Sequence, residues 1–168
     1  MGKIATMHAR KETLMDKIDI HILELIQKDA SLPVADIARK VGLSVTPCWR
    51  RIQKMEEDGI ITKRVALLDP QKIGMGMSVF VGIKTDQHNA QGLGEFAKAI
   101  SAFPEVVEFY RMSGEVDYML RVVVPDMAAY DVFYKKLIGQ VGLKDVSSSF
   151  AMEQIKNTTA LPLPAKDK

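Results

Sequence analysis

Apolar positions in the first third of the chain recur at helical spacing, in three short runs separated by breakers. Ile18, Ile22, Leu25 and Ile26 form the stripe of a first helix, which Asp16 is placed to cap and which extends to about Asp29. "ASLP" interrupts the pattern, and Pro33 suits the first turn of a second helix, Val34 to Lys40, with Ile37, Ala38 and Val41 facing inward. Gly42 supplies the left-handed residue that ends it, Leu43 plugs the corner, and Ser44 stands where it caps a third helix. Pro47 falls in that helix's first turn, where a missing N–H costs little, and Gly59 stops it. Placed on a helical wheel, Val45, Cys48, Ile52 and Met55 share an inward face. Thr46, Arg50, Gln53 and Lys54 lie opposite, with Trp49 and Arg51 on the flanks.

Beyond Gly59 the period changes. "IITKRVALLD" reads as a strand, and "QKIGMG" (71–76) is a glycine-containing connection at which the composition shifts. "MSVFVGIKTD" (77–86) alternates as a strand. "GLGEFAKAISAF" places Leu93, Phe96, Ala97 and Ile100 on one helix face, ended by Pro104. "VVEFYRMSGEVDYMLRVVV" (106–124) reads as two strands joined around Ser113–Gly114–Glu115. Asp126 caps a helix whose apolar side carries Met127, Tyr130, Phe133, Tyr134, Leu137, Ile138 and Val141, and 146–157 is a last strand. The order βαββαβ is the ferredoxin-like arrangement. The expected fold is therefore α+β: an N-terminal winged helix-turn-helix domain over 14–64, a strand and linker over 65–76, and a ferredoxin-like domain over 77–160. Two helices should cover one sheet face. The other face carries apolar groups and invites self-association.

Charge is distributed unevenly along this plan. The 168 residues carry a net charge of only +2, but residues 39–64 hold seven Lys/Arg against three acids, while residues 70–168 hold eleven of each. The excess sits on and beside the third helix. A short helix, a glycine-containing turn and a second helix with a basic, hydrogen-bonding outer face form the helix-turn-helix pattern. Such a helix can enter the major groove of double-stranded DNA, where Arg reads guanine and Gln reads adenine. Its start, Ser44 to Pro47, offers free N–H groups to phosphate. Lys63 and Arg64 can touch the DNA backbone as a small wing. The DNA-contacting set is then Ser44, Thr46, Pro47, Trp49, Arg50, Arg51, Gln53, Lys54, Lys63 and Arg64. For Trp49 two roles stay open, packing residue and base reader. A plain solvated basic face is the competing account of the charge.

Other chemistry finds little footing. Cys48 is the only cysteine, which excludes an intrachain disulfide and a cysteine metal site, and it falls on the inward face of the third helix. His8, His21 and His88 are scattered without ligand spacing, and "GMG" at 74–76 lacks the rest of any phosphate-cradling fingerprint. No enzyme, metal or cofactor is expected. With 47% hydrophobic residues but no apolar run long enough to span a bilayer, and a mildly basic leader without a signal-like core, a cytoplasmic protein is expected.

"DKIDIHILELIQKDA", "ARKVGLSVTPCWRRIQKMEEDGII", "VALLDP", "MSGEVDYMLRVVVPDM" and "MEQIK", in that order, resemble the leucine-responsive regulator/AsnC family of feast/famine transcription regulators, over about residues 14–163. Pro33 departs from the pattern, standing where many relatives have a capping Ser or Thr. The resemblance implies a DNA-binding regulator built from homodimers, often four in a ring, whose C-terminal domain binds a small amino-acid effector at contacts between dimers. Asp117 resembles the family's hairpin aspartate and would pair with the effector ammonium, with Glu115 as a second candidate. The Ser113–Gly114 turn would offer backbone N–H groups to the carboxylate. Met112, Val116, Tyr118 and Met127 would line an apolar pocket, with Ser149 and Phe150 supplied by a neighbouring subunit. Asp117 could instead simply end the hairpin, and Tyr118 could pack in the core. The ending "SSFAMEQIKNTTALPL" resembles a subgroup responding to apolar amino acids such as leucine or methionine. An architectural DNA-organising protein that senses nothing would share the same DNA-binding helix and differ in having no effector response.

Overall fold

The computed structural model describes residues 15–85, 90–139 and 143–164, with backbone alone at 90–93. The basic leader, His8, His88, the Leu93 side chain and Val141 lie outside these residues. The chain divides into two units. One takes the described residues to Ala66 together with those from Asn157, and the other is Leu67–Lys156.

The first unit is built on α1 (Lys17–Ile26), α2 (Val34–Val41) and α3 (Val45–Glu57). Asp16 starts α1 through a capping box: its Oδ1 accepts the N–H groups of Ile18 (2.8 Å) and Asp19 (2.9 Å), and its own N–H donates to Asp19 Oδ2. The helix stops at Ile26, short of the expected Asp29. There the Asp29 carboxylate accepts both the N–H and the hydroxyl of Ser31, a local turn that competes with further helix. Gly42, at φ 73°, closes α2, and the Leu43 N–H reaches back to the Ala38 carbonyl (2.9 Å). Gly59, at φ 72°, ends α3 in the same way, with Ile60 N–H on the Met55 carbonyl. Ile22, Leu23 and Ile26 of α1, Ile37 and Ala38 of α2, and Cys48, Ile52 and Met55 of α3 form one core. Val45 was expected to join this stripe but is 50% exposed. It sits on the margin of the buried face, in the first turn of α3, away from the core that α1 and α2 build.

The C-terminal stretch returns to this unit. The Gln27 side-chain amide donates to the Leu161 carbonyl (3.1 Å) and accepts the Leu161 N–H (2.9 Å), while Leu163 packs on the helical core. Residues 157–160, assigned from sequence to the second domain, therefore group with the first unit.

Residues 60–69, expected as a strand, form no ladder among the described residues, so the expected wing strand is not seen there. A strand's N–H and C=O groups need a neighbouring strand, and here the run is exposed, with Val65, Leu67 and Leu68 outward.

The second unit runs β1 (Met77–Thr85), α4 (Ala90–Ser101), β2 (Val106–Arg111), β3 (Tyr118–Val124), α5 (Met127–Ile138) and β4 (Leu143–Phe150). The sheet order is β2-β3-β1-β4, with every pair antiparallel. This is the expected βαββαβ arrangement. Alternation sends Val79, Val81, Ile83, Tyr118, Leu120, Val122 and Val124 to one face, where they pack with Phe96 and Ile100 of α4 and Tyr130, Phe133 and Leu137 of α5. On α5, Met127 and Ile138 were expected on the apolar side but are exposed. The last strand begins at Leu143 and stops at Phe150, opposite Val79 of β1, and not at 157. The opposite sheet face carries Phe80, Gly82, Met119, Arg121 and Tyr110, and the Arg121–Glu108 ion pair (2.7 Å) crosses it.

A charge test of the first unit follows from its N-cap. The Asp19 N–H and the Arg51 guanidinium hold the Asp16 carboxyl below the usual carboxylate range. Because the folded carboxyl titrates lower than the unfolded one, its contribution is complete above the unfolded pKa and is lost as pH falls through the folded value. Asp16→Asn keeps a competent cap but removes the charge. The variant should melt lower than the parent at pH 7, by less than about 1 kcal/mol since the pair is half exposed. The gap should close in melts run between pH 5 and pH 2, and a gap that stays constant would contradict this origin.

Candidate functional site

Helix α3 presents an exposed outer face. Thr46, Arg50 and Gln53 are exposed, and no ion-pair or hydrogen-bond partner for Arg50 occurs among the described residues. Three neighbouring cations are engaged. Arg51 Nη1 lies 2.7 Å from Asp16 Oδ2 and 2.8 Å from Asp19 Oδ1, tying α3 to the start of α1, and these two carboxylates, Asp19 first, raise its pKa. Lys54 pairs with Asp58 one turn later (2.9 Å), and Arg64 pairs back to Glu56 (2.9 Å). Lys63 is exposed and shows no ion pair among the described residues. Of the basic residues expected to face DNA, Arg50 and Lys63 are thus uncommitted, and Arg51, Lys54 and Arg64 are held within the protein.

Ser44 has the backbone of an N-cap (φ −75°, ψ 162°) but its hydroxyl makes no capping hydrogen bond, contrary to expectation. A capping hydroxyl accepts from the second or third helical N–H, and the third position is Pro47, which has none. The start of α3 therefore keeps its N–H groups unsatisfied by a cap. Trp49 is 46% exposed and stands outside the buried helical core. Cys48 is fully buried, and burial pushes its thiol up, away from the nucleophilic thiolate.

In the second unit the hairpin tip after β2 is fixed to the end of β1. Asp117 donates its N–H to the Ile83 carbonyl (2.9 Å) and accepts the Thr85 N–H on Oδ2 (2.8 Å), while Met112 N–H closes on the Asp117 carbonyl (2.8 Å). Gly114, at φ 127°, makes the turn. Glu115 reaches Lys84 at 3.8 Å. Val116 folds over Gly82, where a Cβ would stand 3.1 Å from Val116 Cγ1 and 2.9 Å from Ser147 Oγ. Gly82, Lys84, Thr85 and Ser147 thus border the hairpin, and the sequence reading missed them. A glycine inside a strand was the available signal, since it marks a close approach.

The expected effector residues do not all converge within one chain. Met112 to Asp117 sit at the Thr85 end of β1. Met127 follows the far end of β3, and the β1–β4 register places Phe150 opposite Val79 and Ser149 opposite Phe80, toward that same far end. Six residues of strand, roughly 20 Å, separate the two groups. Tyr118 is 4% exposed and packs between Phe96 (5.1 Å between ring centroids) and Phe109 (5.4 Å), so it belongs to the core. Phe150 stacks edge-on to Tyr130 at 5.2 Å.

Among the described residues no helix is long and apolar enough to cross a membrane, and no cluster of three or more His, Cys, Asp or Glu is arranged to hold a metal.

Comparison with known proteins agrees with both units. Residues 15–62 match the model of winged helix-turn-helix DNA-binding domains, and residues 78–161 that of the Lrp/AsnC ligand binding domain. The chain is 51% identical over 151 residues to the DNA-binding transcriptional activator DecR of Escherichia coli, covering 89% of this chain and 99% of that one. It is 49% identical over 150 residues to the glutamate uptake regulatory protein of Zymomonas mobilis, covering 89% and 92%. Among solved structures, an AsnC family transcriptional regulator from Agrobacterium tumefaciens superposes with a TM-score of 0.86 at 64% identity, covering 88% and 97%. A transcriptional regulator from Neisseria meningitidis in complex with L-methionine superposes at 0.84 with 34% identity, covering 88% and 96%. The chain, with a helix-turn-helix unit ahead of an antiparallel ligand-binding sheet domain, belongs to the Lrp/AsnC family of DNA-binding transcription regulators.

Proposed function

We propose that this regulator acts in the cytoplasm, without enzymatic activity of its own. In this reading it binds specific duplex DNA through the outer face of α3 and adjusts its assembly or DNA affinity to a free amino acid, with leucine or methionine favoured. The observation that carries the DNA part is the division of the cations: Arg50 is left without a protein partner beside exposed Thr46 and Gln53, while Arg51 and Lys54 are held. Arg50 reads guanine, Gln53 reads adenine, and the uncapped start of α3 with Lys63 meets phosphate. Arg51 serves to orient the helix instead.

The effector is received at the hairpin. One Asp117 oxygen takes the Thr85 N–H and leaves the other to an ammonium, while the Ser113–Gly114 backbone meets the carboxylate and Met112 and Val116 meet the side chain. Met127, Ser149 and Phe150 contribute from a neighbouring subunit, since they lie at the far end of the sheet. This requires a homo-oligomer, a dimer or four dimers. The L-methionine complex of the Neisseria relative supports an apolar amino acid.

Arg50→Ala should weaken binding to the preferred duplex by about 1–3 kcal/mol in equilibrium titrations at fixed salt, with little loss on random duplex. Equal loss on both would reduce Arg50 to a phosphate contact. In a thermal-shift panel of amino acids, a native-state ligand should stabilise by about 2.7 kcal/mol at one hundred times its Kd. Asp117→Asn, which keeps an acceptor for Thr85 N–H, should lose that shift while still folding and binding DNA. A flat panel with the parent protein would favour a DNA-organising protein without an effector.

A further inference from the structure

Two exposed apolar side chains on α3 are left over once the basic and polar residues are assigned. Val45 is 50% exposed and Trp49 46% exposed, although both lie on a helix whose adjoining face is fully packed. They are four residues apart, so they form one row, about 40° apart around the axis. That row flanks the Thr46, Arg50 and Gln53 face on the side away from Arg51, whose guanidinium points to the start of α1. Among the described residues both side chains stay half exposed, and their neighbours on the helix are Thr46, Arg50 and Gln53.

We propose that Val45 and Trp49 form an apolar reading strip for the C5-methyl group of thymine, which makes them specificity residues alongside Arg50 and Gln53. The occupant follows from the surroundings. A helix that lays Arg50 and Gln53 against base edges brings this row to the edge of the same groove. The apolar group that B-DNA offers in the major groove is the thymine methyl, and aliphatic and aromatic side chains contact it there. The first turns of a recognition helix are the part that reaches base edges, and Val45 opens α3. Solvent exposure of the only tryptophan in the chain is thereby explained: its indole is dried when DNA binds. The inference rests on the DNA-reading role of α3 proposed above and names the base feature that the strip recognises.

The test begins with a duplex enriched from a random pool by the full-length protein at fixed salt. Each thymine is then replaced singly by deoxyuridine, which deletes the methyl and keeps the hydrogen-bonding edge. At one or more positions the parent protein should lose affinity about fourfold, the value of one buried methyl-sized group. Trp49→Ala or Val45→Ala should bind more weakly and be indifferent to that replacement, and Trp49 emission in the parent should change on binding the enriched duplex. Both side chains are half exposed, so the variants should melt close to the parent, and their melts are recorded alongside. A flat uracil scan on an enriched duplex, or the same loss in both variants, overturns the thymine strip and leaves DNA reading intact. Failure to enrich any duplex overturns the DNA-reading role and the strip with it.

Discussion

Helix α3 is held from one side only, and the arrangement of the DNA-binding unit depends on that asymmetry. Cys48, Ile52 and Met55 bury against α1 and α2, each large side chain contributing on the order of 1.5–3 kcal/mol. A free helix of thirteen residues is marginal in water, so this stripe is what keeps α3 formed. Arg51 adds direction by reaching two carboxylates at the start of α1, and the left-handed Gly42 sets the angle at which α3 leaves α2. With the inner face and one flank occupied in this way, Thr46, Arg50 and Gln53 on the outer face stay exposed, and only Lys54 there is tied back, to Asp58. A fixed helix backbone lowers the ordering cost of binding, and side chains without internal partners have no protein contact to give up.

The sheet unit solves a related problem for a loop. Residues 112–115 are exposed and have few packing neighbours of their own. Their position comes from Asp117, whose backbone and carboxylate both hydrogen-bond to the end of the central strand β1. Gly82 lets Val116 lie close over that strand. The hairpin therefore rests on the most buried strand of the unit while keeping its tip open. Distance limits what one chain can do: Met127 and Phe150 stand at the other end of the sheet, so a ligand held by both groups needs two copies.

Much of this architecture was legible in the residues, wherever a local signal dominated. Asp16 and Asp126 cap as their spacing implied, Gly42 and Gly59 take positive φ, and alternation placed the strands of the sheet. What escaped depended on three-dimensional neighbours. A wheel put Val45 with the core, yet it lies at the margin of the packed face. The ion pairs of Arg51 could not be read from the sequence, because its partners, Asp16 and Asp19, are more than thirty residues away. Ser44 looked like a cap, but its usual donor is replaced by Pro47. Residues 60–69 have strand composition and no ladder partner among the described residues. In the candidate effector site the hairpin residues were legible as a block. Tyr118 was not separable from core, and the adjacency of Gly82 and Ser147 required the strand register.

The central claim is that α3 reads DNA from the major groove. Dimethyl sulfate interference on an enriched duplex addresses it most directly, because the reagent methylates guanine at N7 in the major groove and adenine at N3 in the minor groove. The account predicts interference at discrete guanines, clustered where one face of the duplex presents its major groove. Interference confined to adenine N3, or none at any base of a duplex that the protein binds specifically, would contradict it.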